Sequence, residues 1–138
     1  MIFFDVNIFV DVLSGRKGFK SSIKLIDLVR NNKIKGFISS LTVPLLWFVL
    51  KSMVGSIKAQ NDISDIIKGF NIVNLDKTIL NNSFKIKMND FEDVIQYCSA
   101  MEGNCKTIIT RNTKDFKNFK NVSIFTPEEY LIKEGIKW

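Results

Sequence analysis

The chain has 138 residues and a formal net charge of +6, with 46% hydrophobic and 25% charged residues, and it contains no histidine. Such a composition excludes a disordered chain, and the length fits one domain, residues 1–138, with a sizeable core. The lack of histidine excludes zinc sites of the Cys/His kind and histidine-based catalysis, so any catalysis depends on carboxylates. The basic charge favours a polyanionic partner, although surface solubility alone also explains it.

No apolar run approaches the ~20 residues that span a bilayer. The N-terminus also lacks the charged leader and the cleavage site of a signal peptide. We therefore expect a cytoplasmic protein without a membrane partner. In that compartment Cys98 and Cys105 should stay reduced and form no disulfide.

The first predicted element is a buried strand in Met1–Asn7, MIFFDVN, which carries Asp5 to its carboxyl end. Helical spacing starts afterwards at Ile8 and Phe9. Ligands of doubly wound sheets bind outside the carboxyl ends of the strands, where Asp5 and Asn7 would lie. Alternatively, Asp5 serves only as the N-cap of the next helix.

A polar loop at Ser14–Gly18 leads into a second predicted helix at Ser21–Asn31. A short strand is predicted at Gly36–Ser39. Either Ser40 or Thr42 can then cap the following helix, because serine and threonine are common N-cap residues.

That following helix, Val43–Leu50, has the sequence VPLLWFVL, and it is apolar on every side. Pro44 is tolerated in a first helical turn. A helix that is apolar all round must be buried against both the sheet and a further surface. We expect that surface to be a second subunit, which predicts a homodimer.

The middle of the chain predicts a helix at Gly55–Phe70, a strand at Ile72–Leu75 and a helix capped by Asp76. Next comes a clear amphipathic helix, whose apolar residues have helical spacing: Phe91, Val94, Ile95, Cys98 and Met101. Its first turn holds three acids, Asp90, Glu92 and Asp93. Acids at this place either belong to a site or only complement the helix dipole and cap.

A fourth strand at Lys106–Ile109 runs into a polar stretch, Thr110–Phe116. A fifth strand at Val122–Phe125 precedes Thr126–Glu129, which has the cap, proline and acids of a helix start. About five strands thus alternate with helices, without repeats or linkers. This pattern predicts an α/β fold, a three-layer α/β/α sandwich around a mainly parallel central sheet.

Four polar residues are expected at one edge of this sheet. Asp5, Asn112 and Asp115 follow strands, while Asp93 begins a helix that precedes one. Carboxylates brought together repel one another unless a cation neutralises them. Mg²⁺ and Mn²⁺ prefer such oxygen ligands, and either can activate water and stabilise charge on a phosphate. Hydrolysis of a phosphodiester is the chemistry that this set allows.

The order and spacing of these motifs resemble those of PIN domains, and in particular of the VapC-like toxin ribonucleases. The matching segments are Asp5–Asn7 with Asp11, the polar helix start in Ser39–Leu50 with Thr42, Asp93, and Thr110–Phe116, TRNTKDF. The resemblance covers essentially the whole chain. It implies an endoribonuclease that uses Mg²⁺ or Mn²⁺, forms a homodimer, and is held inactive by a small antitoxin protein.

Two residues depart from the family pattern: Leu45 stands where a glutamate is usual, and Asn112 where an aspartate is usual. The resemblance then implies three catalytic acids that also bind the metal with help from Asn112, namely Asp5, Asp93 and Asp115. Supporting roles are expected for Asn7, Asp11, Thr42, Asp90, Glu92 and Thr110.

The loop after the fourth strand carries basic residues that are candidates for RNA binding: Arg111, Lys114 and Lys117. A solvated loop explains them equally well. The predicted function is a metal-dependent endoribonuclease, the toxin of a toxin–antitoxin pair. The alternative is a catalytically weakened PIN-like domain that binds RNA or an antitoxin, which Leu45 and Asn112 favour.

Overall fold

The computed structural model describes residues 1–138 and contains five strands and eight helices. The strands are β1 (Ile2–Phe4), β2 (Gly36–Ser39), β3 (Asn71–Val73), β4 (Thr107–Ile109) and β5 (Ser123–Phe125). The helices are α1 (Val6–Ser14), α2 (Phe19–Arg30), α3 (Thr42–Val54), α4 (Ser56–Ile66), α5 (Lys77–Phe84), α6 (Phe91–Glu102), α7 (Thr113–Phe116) and α8 (Pro127–Lys133). The predicted alternation of strands and helices is confirmed.

The five strands form one parallel sheet in the order β3-β2-β1-β4-β5. The chain starts in the middle with β1, builds outwards to β3, and then returns to the other side of β1 with β4. The carboxyl ends of β1 and β4 therefore flank the switch point of the sheet, where such folds bind ligands.

Residues alternate between the two faces of the sheet and so bury two separate cores. Phe4 and Ile109 belong to a core with α1, α2, α3, α4 and α8, whereas Phe3 and Ile108 belong to a core with α5, α6 and α7. All four side chains are fully buried. This arrangement confirms the predicted three-layer α/β/α sandwich.

Two helices have the predicted N-caps, Asp76 and Thr126, and a third is capped by Asp90, which the sequence placed among the first-turn acids. The Asp76 carboxylate accepts a hydrogen bond from the Ile79 backbone N–H at 2.9 Å, and Asp90 caps α6 in the same way. Thr126 forms a complete capping box with Glu129 at the start of α8. These caps fix the residue at which each helix begins.

The predicted cap of α3 is wrong. Leu41 is the N-cap residue and makes no side-chain capping bond. Ser40 instead accepts a hydrogen bond from the Leu75 backbone N–H at 2.9 Å, so its hydroxyl joins the end of β3 to the turn. Thr42 lies inside the first turn, and its buried hydroxyl has no hydrogen-bond partner.

The first strand and the stretch after β4 also differ from the prediction. β1 ends at Phe4 and α1 begins at Val6, so the first strand is shorter than Met1–Asn7. The stretch after β4 contains the short helix α7, because Phe116 is fully buried in the second core and anchors it.

Cys98 and Cys105 are both buried free thiols. None of the eight helices has the length and apolar composition to cross a bilayer.

Arg111 lies directly after β4 and connects α1, α8 and the loop between α1 and α2. Its Nε donates to the Asp11 carboxylate at 2.7 Å, and a second nitrogen donates to Glu128 of α8. A third donates to the carbonyl of Gly18 at 2.9 Å. Asp11 is only 4% exposed, so this guanidinium is the counter-charge of a buried carboxylate.

Replacing Arg111 by glutamine should lower the free energy of unfolding by roughly 2–4 kcal/mol, because Asp11 would remain buried without its counter-charge. Urea unfolding measures this change. Lys114→Gln removes the same charge from an exposed position on α7 and should change stability by less than about 0.5 kcal/mol. Equal stability of the two variants would show that the Arg111 contacts contribute nothing to the fold.

Candidate functional site

Asp5 lies at the switch point of the sheet and is only 1% exposed. One carboxylate oxygen, Oδ1, accepts a hydrogen bond from the Val6 backbone N–H at 2.8 Å. The other, Oδ2, accepts one from the Thr110 hydroxyl at 2.8 Å. Asp5 is thus the N-cap of α1, as the alternative interpretation predicted, yet each oxygen keeps acceptor capacity for a further partner.

A second contact joins α6 to the loop after β4. The Asn112 side-chain amide donates to Oδ2 of Asp93 at 2.9 Å and to Oδ2 of Asp115 at 2.9 Å. The Asn112 backbone N–H donates to the Thr110 hydroxyl oxygen at 3.0 Å. A continuous chain of hydrogen bonds therefore connects Asp5 through Thr110 and Asn112 to Asp93 and Asp115. The four predicted ligands lie together.

Negative charge is unfavourable in this cluster. Burial raises the pKa of Asp5 to about 6, and Glu92 and Asp90 add to the shift. Burial also raises the pKa of Asp93 to about 7, with further contributions from Asp5, Asp90, Asp115 and Glu92. The pKa of Glu92 is raised as well, by the partial desolvation of its carboxyl group and by Asp90. A bound cation would stabilise the ionised carboxylates.

No group of three or more Asp, Glu or Cys side chains is arranged to hold a metal ion by itself. One reason is that the Asn112 amide, rather than a carboxylate, lies between Asp93 and Asp115. In addition, residue 45, where the resemblance predicted a ligand position, is a leucine, which offers no oxygen. The donors nevertheless fit a hard divalent cation, because Mg²⁺ and Mn²⁺ need few carboxylates and keep several waters.

Two predicted residues lie outside this cluster. Asp11 and Arg111 pair with each other, and the guanidinium also contacts Glu128 and the Gly18 carbonyl. Arg111 could reach an RNA phosphate only by giving up these contacts. Lys114 and Lys117 are exposed on and directly after α7, the helix that carries Asp115.

The remaining supporting residues occupy three places. Asp90 caps α6, and Glu92 is exposed in its first turn. Asn7 is half-buried in the first turn of α1. Thr42 is fully buried at the start of α3, with its hydroxyl unpaired.

The sequence interpretation missed Gln96, one helical turn after Asp93. Its side chain is fully buried, and neither the amide nitrogen nor the amide oxygen has a hydrogen-bond partner. Buried polar groups are normally paired, so this unpaired amide is an exception in the core. The signal was present in the sequence, because a glutamine beside the apolar stripe of α6 is an unusual core residue.

The sequence matches the family model described as PIN domain over residues 1–114. No curated protein matches the sequence of this chain. Among solved structures, a toxin–antitoxin complex from Klebsiella pneumoniae is 25% identical with a TM-score of 0.66, covering 92% of this chain and 98% of that chain.

Two more distant structures share the fold. VapBC2 from Rickettsia felis, bound to a DNA fragment from its promoter, is 19% identical with a TM-score of 0.71, covering 91% of this chain and 98% of that chain. VapC20 from Mycobacterium tuberculosis, a sarcin-ricin loop cleaving toxin, is 10% identical with a TM-score of 0.68, covering 88% and 98%. The likeness spans nearly the full length of each.

The raised pKa of Asp93 predicts that the metal-free protein loses stability as the pH rises. The folded value of about 7 exceeds the ordinary 3.8, so the folded state holds a proton that the unfolded state has already released. The contribution of the protonated Asp93 to stability is therefore fully present below pH 3.8 and is lost as the pH rises to about 7. Asp93→Asn removes this titration and should gain roughly 2 kcal/mol over the parent between about pH 5 and pH 7.5.

Chemical unfolding in metal-free buffer at several pH values measures this difference. Asp27→Asn is the control, because it makes the same chemical change at an exposed acid on α2, outside the acidic cluster. A pH-independent difference between Asp93→Asn and the parent would contradict the prediction.

Proposed function

The chain belongs to the PIN domain family, and we propose that residues 1–138 form one such domain, a metal-dependent endoribonuclease that serves as a toxin held in check by an antitoxin. The observation that carries this proposal is the hydrogen-bonded set of acids at the switch point of the sheet. The similar Klebsiella structure is a toxin–antitoxin complex, and the similar VapC20 is an RNA-cleaving toxin.

In this proposal Asp5, Asp93 and Asp115 would hold Mg²⁺ or Mn²⁺ through carboxylate oxygens. Asn112 would contribute its amide oxygen only after its amide nitrogen gives up the hydrogen bonds to Asp93 and Asp115. When bound, the cation lowers the pKa of a coordinated water and offsets negative charge that develops on the phosphate. The Thr110 hydroxyl and the start of α1 keep the Asp5 carboxylate in one orientation. Such fixed partners around a ligand commonly matter for metal affinity.

The second candidate is a domain with weakened catalysis that binds RNA or an antitoxin. It is favoured by the Asn112 amide, which satisfies Asp93 and Asp115 without a cation. Leu45 favours it too, because it removes a carboxylate from the family's set. Measuring RNA cleavage separates the two candidates.

The purified protein should cleave RNA when Mn²⁺ is added and should not cleave it when the metal is chelated. Asp93→Asn should lower the rate at least ~100-fold, because it removes a charge that the cation needs while keeping the side-chain shape. Asp27→Asn changes an acid on α2, outside the acidic cluster, and should cleave RNA like the parent protein.

A parent protein that binds RNA but shows no Mn²⁺-dependent cleavage would support the second candidate. Full activity of Asp93→Asn together with loss of activity in Glu92→Gln would show that the wrong acid of α6 has been assigned.

We also propose that the protein forms a homodimer through a surface on α3 and α4. Leu46 and Leu50 of α3 are buried, as the prediction of contact with the core requires. Phe48 is 68% exposed on the other side of α3, and Ile57 of α4 is 71% exposed. Two further apolar side chains of α3 are exposed, Val49 at 38% and Met53 at 54%. Exposed apolar groups of this number commonly mark an interface.

Sedimentation should show a dimer at tens of micromolar for the parent and a monomer for Phe48→Lys, because a charge would be buried at the contact. Ile132→Lys is the matched control, since Ile132 is also 68% exposed but lies on α8. A monomeric parent protein would contradict this part of the proposal and leave the surface to another partner.

A further inference from the structure

Two solvent-exposed aromatic rings stack on each other beside the acidic cluster. Phe84 is the last residue of α5 and Phe91 is the first residue of α6. Their ring centroids are 5.3 Å apart and the planes differ by 15°. They are 56% and 37% exposed, so much of their apolar surface faces solvent. The two helices that support them pack against each other, so the pair sits on a fixed base.

An open depression of about 390 Å³ lies against this pair, and its lining includes Lys87, Met88 and Asn89. The same three residues also line a second depression of about 440 Å³, together with Asp90 and Asp115. The two depressions are therefore neighbours. Because the Asn112 amide links Asp115 to Asp93, a ligand chain could pass from the aromatic pair into the acidic cluster.

The charges around the aromatic pair differ from those of the acidic cluster. The segment between α5 and α6 carries two exposed lysines, Lys85 and Lys87, and neither forms an ion pair. Lys87 lines both depressions. An ammonium group beside an exposed aromatic face fits a nucleotide, with the phosphate on the lysine and the base on the ring.

We propose that Phe84, Phe91 and Lys87 form a subsite for one nucleotide of single-stranded RNA, next to the phosphate that the acidic cluster would cleave. The placement of the cleaved phosphate rests on the proposed nuclease function, whereas the binding of the nucleotide does not. The base stacks on the aromatic pair, and the Lys87 ammonium contacts its phosphate. Stacking tolerates any base, so the subsite recognises an unpaired nucleotide rather than a sequence.

The experiment measures binding of the full chain to a short single-stranded RNA that contains 2-aminopurine, in metal-free buffer. Stacking on a phenylalanine should change the 2-aminopurine fluorescence of the bound RNA. Phe91→Leu should abolish that change and weaken binding roughly tenfold, because leucine keeps the apolar bulk but has no aromatic face. Lys87→Gln should keep the fluorescence change and lower the salt dependence by about one phosphate contact.

Matched controls are Trp138→Leu, an aromatic residue after α8 that is 51% exposed, and Lys68→Gln, an exposed lysine after α4. Both should bind the RNA like the parent. Phe84→Leu repeats the test should Phe91→Leu fail to fold, which far-ultraviolet circular dichroism reports. An RNA with an abasic site in place of 2-aminopurine should bind the parent and Phe91→Leu equally well.

Unchanged RNA binding in both phenylalanine variants would overturn the inference. Unchanged RNA binding together with altered sedimentation would overturn it as well, and would make the pair a protein contact. Failure of the proposed nuclease function is a different result: the RNA would bind with the fluorescence change, and added Mn²⁺ would produce no cleavage.

Discussion

The pairing of β1 with β4 is the constraint on which the site depends. Phe4 is aligned with Ile109, and the Asp5 backbone N–H donates to the Ile109 carbonyl at 3.0 Å. This register brings the Thr110 hydroxyl to the Asp5 carboxylate. A shift of one residue would turn the side chains after β4 to the opposite faces of the sheet. The hydrogen-bond chain from Asp5 to α6 would then be lost.

The same register gives consecutive residues different tasks. Arg111 reaches towards α1 and α8, where it neutralises the buried Asp11. Asn112 reaches towards α6 and α7, where it joins Asp93 and Asp115. One short segment thus stabilises the helical layer on one side and assembles the acids on the other. Residues that are adjacent in sequence thus serve different layers of the fold.

Much of this organisation followed from the sequence because it depends on local patterns. The strand Gly36–Ser39 has its predicted bounds, and the caps Asp76 and Thr126 are formed as expected. The gathering of Asp5 and Asp93 at one edge followed from the order of strands and helices, since parallel strands end on the same side. Their roles in metal binding remain predictions.

What the sequence did not predict depends on contacts between distant residues. The partners of Arg111 include Asp11, which is 100 positions away, and no local pattern connects the two. The Phe84–Phe91 stack forms because α5 and α6 meet, and apolar periodicity alone assigned Phe91 to the buried stripe. Ser40 contacts Leu75 across the sheet, which removes it as a cap. Each case is a tertiary contact that replaced a local preference.

Electrostatics connect these parts in the proposed nuclease. Phosphates and the ionised acids near Asp93 repel each other, so RNA and a divalent cation should each favour the binding of the other. The exposed Lys87, Lys114 and Lys117 lie along the chain on either side of this acidic region and attract phosphate. Asn112 adds no charge, and its amide satisfies Asp93 and Asp115 in the absence of a cation. The contact that stabilises the metal-free protein would therefore compete with cation binding, so in the proposed nuclease this one residue would affect both stability and catalysis.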